Sequence, residues 1–201
     1  MFIIQIEVTN NKRKRRMAYI ETISTDEATG SLKGIYNNLT ETRGKIAEVH
    51  KIQSLNPQVL VAHMDLYMAI MFGKSPLRRY QREMIGVVTS AANRCEYCIK
   101  HHEQALLAYW KDEGKTRKLS ENRAELGLSE TDRLLCGLAE KLTLNSEQNY
   151  SDDITELKNA GLEGRAILDA VQVIAYFNFV NRIVLGLGVE FTEEEMKGYK
   201  Y

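Results

Sequence analysis

Apolar residues in this chain return every three or four positions, and the runs they mark are long. Each residue of a helix advances about 100°, so that spacing gathers the apolar side chains on one side. Alternation at period two is nowhere sustained, and the pattern predicts an all-α fold. Asn56-Pro57 and Ser75-Pro76 each set a proline behind a good N-cap residue. Proline at the first helical position gives up no needed hydrogen bond, so both pairs read as helix starts. The run "PQVLVAHMDLYMAIMFG" carries the first of these helices to Gly73. "PLRRYQREMIGVVTSAAN" carries the second to Asn93, a residue that tolerates the left-handed turn ending a helix. A third helix runs from about Cys95 to Tyr109, and the polar stretch "WKDEGKTRKLSENRAELG" reads as a loop with a short helix. Ser129 and Asp132 open the next helix in capping-box style, with Leu134, Leu135, Leu138 and Leu142 on one face. "SDDITELKNAGL" has acids in its first turn and Gly161 after its last, and "EGRAILDAVQVIAYFNFVNRIVLGLG" supplies a long, mostly buried helix.

A length of 201 residues suffices for one domain with a substantial core, or for two small lobes sharing one. By helix order, residues 76–110 and 163–187 are candidate structural counterparts, although no sequence repeat joins them. Lys plus Arg balance Asp plus Glu at 27 each, so no basic excess draws the chain to nucleic acid or an anionic membrane. Small molecules and proteins are the expected partners. The long apolar helix is interrupted by Asp169, Asn178, Asn181 and Arg182, which predicts a core helix and no membrane span. With three cysteines, two of them three apart, the chain is no secreted disulfide scaffold, and a reducing cytoplasm fits it better. At the start an apolar segment precedes the basic cluster Lys12 to Arg16, the reverse of a secretory signal. Residues 1–16 read as a disordered, solvated arm or an upstream extension, with Met17 as the true start.

The chemistry-bearing stretch is "CEYCIKHH", residues 95–102. Helical spacing puts Cys95, Cys98 and His102 within roughly 60° of one another, with Ile99, Ala105, Leu106 and Tyr109 on or beside that face. Lys100, His101, Glu103 and Gln104 are predicted to point away. A thiol attacks only as thiolate, and a cysteine in the first turn of a helix is acidified by unpaired amides. His102 can take the thiol proton, and Glu83, bordering the apolar face of the preceding helix, can orient that imidazole. Cys98 lies one turn before His102 and Cys95 two turns, about 10 Å along the axis, so Cys98 is the expected attacking sulfur. Cys136 reads as a packing residue, His50 and His63 as structural histidines. Asn178, Asn181 and Arg182 read as groups that satisfy buried backbone or a neighbouring subunit, and none is taken as catalytic.

The pattern E-x11-C-x2-C-x3-H, met by Glu83, Cys95, Cys98 and His102, resembles the AhpD-like alkylhydroperoxidases of the carboxymuconolactone decarboxylase superfamily, in its peroxidase-related branch. The stretches "AYIETISTDEATGSLKGIYNN" and "AYFNFVNRIVLGLGVE" resemble that branch too, so the likeness covers nearly everything from about Ala18 onward. The resemblance implies an AhpD-like helical bundle that assembles into homo-oligomers and reduces organic hydroperoxides. It makes Cys98 the peroxidatic thiol, Cys95 the resolving thiol, and His102 with Glu83 the proton relay. It further implies recycling by a lipoyl-carrying protein or another dithiol reductant, with no metal or flavin cofactor. One position departs from the pattern: where the best-understood members carry a histidine between the cysteines, this chain has Tyr97. A phenol donates a hydrogen bond but is no base near neutral pH. The superfamily's decarboxylases lack the cysteine pair, which argues against that activity. Two readings without turnover compete: a redox-sensing interaction module, and a zinc-binding module. Zinc would find only three close ligands in Cys95, Cys98 and a histidine, where a structural site takes four.

Overall fold

A computed structural model of the chain describes residues 18–191 and Glu195. The expected N-terminal arm, residues 1–16, and Met17 lie outside the described residues. Among the described residues every regular element is helical: α1 (Gly30–Arg43), α2 (Glu48–Lys51), α3 (Pro57–Tyr67), α4 (Arg79–Ala92), α5 (Glu96–Trp110), α6 (Glu113–Glu121), α7 (Glu130–Leu144), α8 (Ser151–Asn159) and α9 (Gly164–Leu187). The all-α reading holds.

Helix α4 is the axis of the bundle and packs on α5, α7 and α9. Residues Gln81 to Ser90 are buried all round it, polar ones included. Polar groups so placed need internal partners, and most find one, the Thr89 hydroxyl being without one among the described residues. Gln81 donates to Asp132 (2.8 Å), Arg82 to the carbonyls of Ile70 and Gly73 (3.0 Å each), and Glu83 meets His102 (2.7 Å). Gly86 lets α9 come close, because a Cβ there would lie 2.7 Å from the Phe177 ring. Helix α9 is long and apolar enough to cross a membrane, yet Ala170, Val173, Ile174, Phe177 and Val184 are buried within the bundle core. Its residue range is one helix where 76–110 holds two. A smaller apolar cluster, Leu32, Tyr36, Leu39, Leu60 and Met64, joins α1 to α3, and Tyr67 packs on both clusters. Val59, Leu66 and Met68 near α3, and Leu168, Phe179 and Leu185 on α9, are exposed.

Two helix boundaries differ from the sequence expectation. The helix expected from Ser75-Pro76 begins at Arg79. Ser75 spends its hydroxyl elsewhere, donating to Asp169 (2.6 Å) and accepting from the Leu77 amide (3.1 Å), while Gln81 accepts from the Arg78 amide (2.9 Å) at the actual start. The helix expected to run unbroken to Gly73 widens after Tyr67 into a π turn, Met68–Phe72. Gly73 closes it by donating to Met68 O and Ala69 O, and any Cβ at Gly73 would collide with Ala69 O at 2.2 Å. Asn93 ends α4 as expected but stays right-handed, and Arg94 takes the left-handed turn at φ 56°. The Asn93 side chain instead ties α4 to α9, donating to Asn178 and Asn181 (3.0 Å each). Ser129 caps α7 by accepting from Asp132 N (3.2 Å), whereas the Asp132 carboxylate turns to Tyr80 and Gln81.

Candidate active site

The turn after α4 brings Cys95 N onto Ser90 O (2.9 Å) and makes Cys95 the N-cap of α5. Cys95 is fully buried and Cys98 nearly so. Their thiols hydrogen-bond each other, Cys98 donating. That bond, helped by the Cys98 backbone amide, draws Cys95 below the usual thiol range against its burial. The same bond, with burial, pushes Cys98 well above it, and only a hydrogen bond from Asn181 acts the other way. Of the two sulfurs Cys95 is therefore the more readily ionised, and it sits at the helix N-terminus where unpaired amides favour a thiolate.

Glu83 and His102 meet as the sequence predicts. His102 Nδ1 lies 2.7 Å from Glu83 Oε2, and Arg79 holds the other carboxylate oxygen through Nε (3.0 Å) and Nη2. Burial raises the Glu83 carboxyl, but the His102 hydrogen bond and then the charges of His102 and Arg79 outweigh it, leaving the group below its ordinary value. The His102 ring is fixed edge-on against Phe177, centroids 4.4 Å apart. With Nδ1 committed to the carboxylate, Nε2 is the working nitrogen.

His101 does not point away. Its Nδ1 meets Tyr97 O (2.7 Å), its ring stacks on Tyr97 (4.2 Å), and Nε2 lies 3.3 Å from Glu195 Oε1. The Tyr97 hydroxyl donates to that same oxygen (2.5 Å) and accepts from Val49 N (3.1 Å). Glu103 is buried as well, accepting from Ser120 of α6 (2.6 Å). A wheel with one inward face fails here because α2 and Glu195 cover a second side of α5.

His50 and His63 are buried and structural, but they also line the site. Burial pushes their imidazoles down to about 3 and about 4 respectively, so both are neutral near pH 7. His63 bridges Gln53 and Tyr176 at 2.7 Å each. Together with Tyr67, Tyr176, Phe177, His101, His102 and Cys98 they surround a cavity of about 80 Å³, set where the α1–α3 layer lies over α5 and α9. Cys95 is absent from that wall. Asn181, set aside from the sequence, is fully buried and hydrogen-bonds both Ser90 (3.2 Å) and Cys98. Cys136 packs in the core, its thiol pushed up to about 12 by burial. Among the described residues no three His, Cys, Asp or Glu side chains converge as a metal ion requires.

No curated protein matches the sequence. Residues 57–140 match the carboxymuconolactone decarboxylase family. A crystal structure of an uncharacterised peroxidase-related protein from Silicibacter sp. TM1040 superposes with a TM-score of 0.83 at 25% identity, covering 93% of this chain and 98% of that one. The AhpD core of a peroxidase-related protein from Ralstonia eutropha JMP134 gives 0.81 at 22% identity, covering 90% and 95%. The debrominase Bmp8 gives 0.71 at 16% identity, covering 91% and 98%. The helical order, the cysteine helix against α4 and these likenesses agree: the chain has the AhpD-like fold, and its residues 57–140 are similar to the carboxymuconolactone decarboxylase family.

Proposed function

We propose that the protein is a thiol-dependent peroxidase that reduces organic hydroperoxides and is recycled by a dithiol reductant of the lipoyl type. The observation that carries this reading is the placement of Cys98: it lines the cavity together with His102, while its partner Cys95 is fully buried and not part of that wall. In the resting pair one proton bridges the sulfurs. Its shift to Cys95 frees the Cys98 thiolate to attack the terminal peroxide oxygen. The O–O bond breaks, Cys98 becomes a sulfenic acid, and the departing alkoxide takes a proton through His102 to leave as the alcohol. Cys95 then attacks the sulfenic sulfur, forming the disulfide and releasing water. Glu83 orients His102 and is a positioning residue. The relative that debrominates shows how widely this fold is used, and a dithiol that supplies two electrons suits either leaving group; the proton relay beside Cys98 favours a leaving oxygen.

The test is peroxide consumption by metal-stripped protein with dihydrolipoamide, beside glutathione and thioredoxin controls. Cys98→Ser is expected to abolish both turnover and the first oxidation. Cys95→Ser is expected to allow one oxidation and leave a trappable sulfenic acid on Cys98. A single stoichiometric oxidation of the native chain with no turnover under any reductant would make the protein a sensor. Native-rate oxidation of Cys98→Ser would reverse the sulfur roles.

A further inference from the structure

Arg43 ends α1, is nine-tenths buried at 9% exposure, and lines the same cavity as Cys98. Its guanidinium lies over the rings of Tyr67 (5.3 Å) and Phe72 (4.9 Å) and makes one long hydrogen bond, to the Tyr67 hydroxyl (3.4 Å). Among the described residues no carboxylate pairs with it. The two buried carboxylates around the cavity are already matched, Glu83 by Arg79 and His102, Glu195 by His101, the Tyr97 hydroxyl and the Glu48 amide. His50, which feels the charge of Arg43, is neutral near pH 7 and supplies no negative charge. A guanidinium stays charged when buried and presents a planar fork of donors. Holding such a group beside a cavity without a counter-ion is unfavourable unless the counter-ion arrives with a ligand.

We propose that the cavity takes a carboxylate-bearing hydroperoxide, its carboxylate paired with Arg43, its compact aryl or branched alkyl body against Tyr67 and Tyr176, and its peroxide oxygen at Cys98. The Cys98 part rests on the peroxidase reading, and the anion site does not. Reduction cleaves the O–O bond with two electrons from the Cys95–Cys98 dithiol and yields the corresponding hydroxy acid and water. A volume of about 80 Å³ is only about half of the roughly 150 Å³ that admits benzene, so the cavity encloses part of a one-ring body and leaves the rest of the ligand at its mouth.

The probes are cumene hydroperoxide bearing a para-carboxylate, its methyl ester, and para-isopropylbenzoate, which carries no peroxide. The native chain is expected to consume the acid faster than the ester by roughly tenfold or more, the worth of one charge-assisted hydrogen-bonded pair. In Arg43→Gln the acid-to-ester ratio falls to about one, and Arg43→Lys keeps part of the preference because charge survives and the fork does not. Calorimetry is expected to show para-isopropylbenzoate binding to the native chain and weakening at least roughly tenfold in Arg43→Gln. Thermal melts establish that each variant is folded; should Arg43→Gln fail to fold, the native ratio and Arg43→Lys decide. Equal rates for acid and ester in the native chain, with benzoate binding indifferent to Arg43, overturn the proposal. Arg43-dependent benzoate binding in a protein that consumes neither hydroperoxide upholds the anion site and sinks the peroxidase reading instead.

Discussion

Replacing Glu83 with glutamine keeps the side-chain shape and removes one charge where α4 meets α5. Glu83 is fully buried, with His102 on one oxygen (2.7 Å) and Arg79 on the other (3.0 Å from Nε). Breaking a buried charge pair by removing one partner costs about 3–5 kcal/mol. The glutamine carbonyl still accepts one hydrogen bond, worth about 1 kcal/mol. Arg79 is 14% exposed and can turn toward water, so a loss of about 2–3 kcal/mol is expected at pH 7. The sign of the pH dependence follows from the depressed carboxyl of Glu83. Its contribution is present above the unfolded-state value of about 4.3 and is lost as pH falls through the lower folded value. The gap between native and Glu83→Gln should thus be full at neutral pH and shrink once pH drops below about 4. Urea unfolding at pH 7 and near pH 3.5, with m-values compared to establish a common denatured state, measures it. A gap under about 0.5 kcal/mol at pH 7, or one unchanged at about pH 3.5, would refute the view that an ionised Glu83 clamps His102.

Asn181→Leu removes the hydrogen bond that favours the Cys98 thiolate. In a chain lacking the other two thiols, iodoacetamide should alkylate Cys98 roughly tenfold more slowly than with Asn181 present, and an unchanged rate would mean the amide does not tune the sulfur. Gly86→Ala places a methyl group 2.7 Å from the Phe177 ring that fixes His102. A loss of about 1–3 kcal/mol and a slower first oxidation are expected, checked by thermal melts and stopped-flow, and native behaviour would mean that α9 yields freely.

What the sequence disclosed was local. Helix order, the Ser129 cap and the start of α5 depend on apolar spacing and on residues within a turn of one another, and all three appear in the structure. The Glu83–His102 pair was legible for a related reason: two consecutive helices joined by a short turn pack face to face, and each residue lay on the facing stripe. Ser75-Pro76 misled because its start signal is local while the hydroxyl answers to Asp169, 94 positions away. Arg43 and Asn181 escaped for the same reason, since neither has a partner nearby in sequence that marks it as part of a site.

Tyr97 shows what such long-range contacts do to the chemistry. From the sequence, a phenol in place of an imidazole between two cysteines is a loss of a base. In the structure the phenol is committed elsewhere, donating to Glu195 at 2.5 Å and accepting from the Val49 amide at 3.1 Å. It holds the Glu195 carboxylate and serves as the platform on which His101 stacks at 4.2 Å. An imidazole is thereby delivered to the cavity wall from the position before His102, and it arrives with a carboxylate, Glu195, at 3.3 Å. Two histidine–carboxylate pairs then face one cavity: Glu83 with His102, built from neighbouring helices, and Glu195 with His101, built from segments that meet only in the folded chain. The imidazole absent between the cysteines therefore has a counterpart in kind, because one is present on the same cavity wall and held by a residue the cysteine motif does not contain.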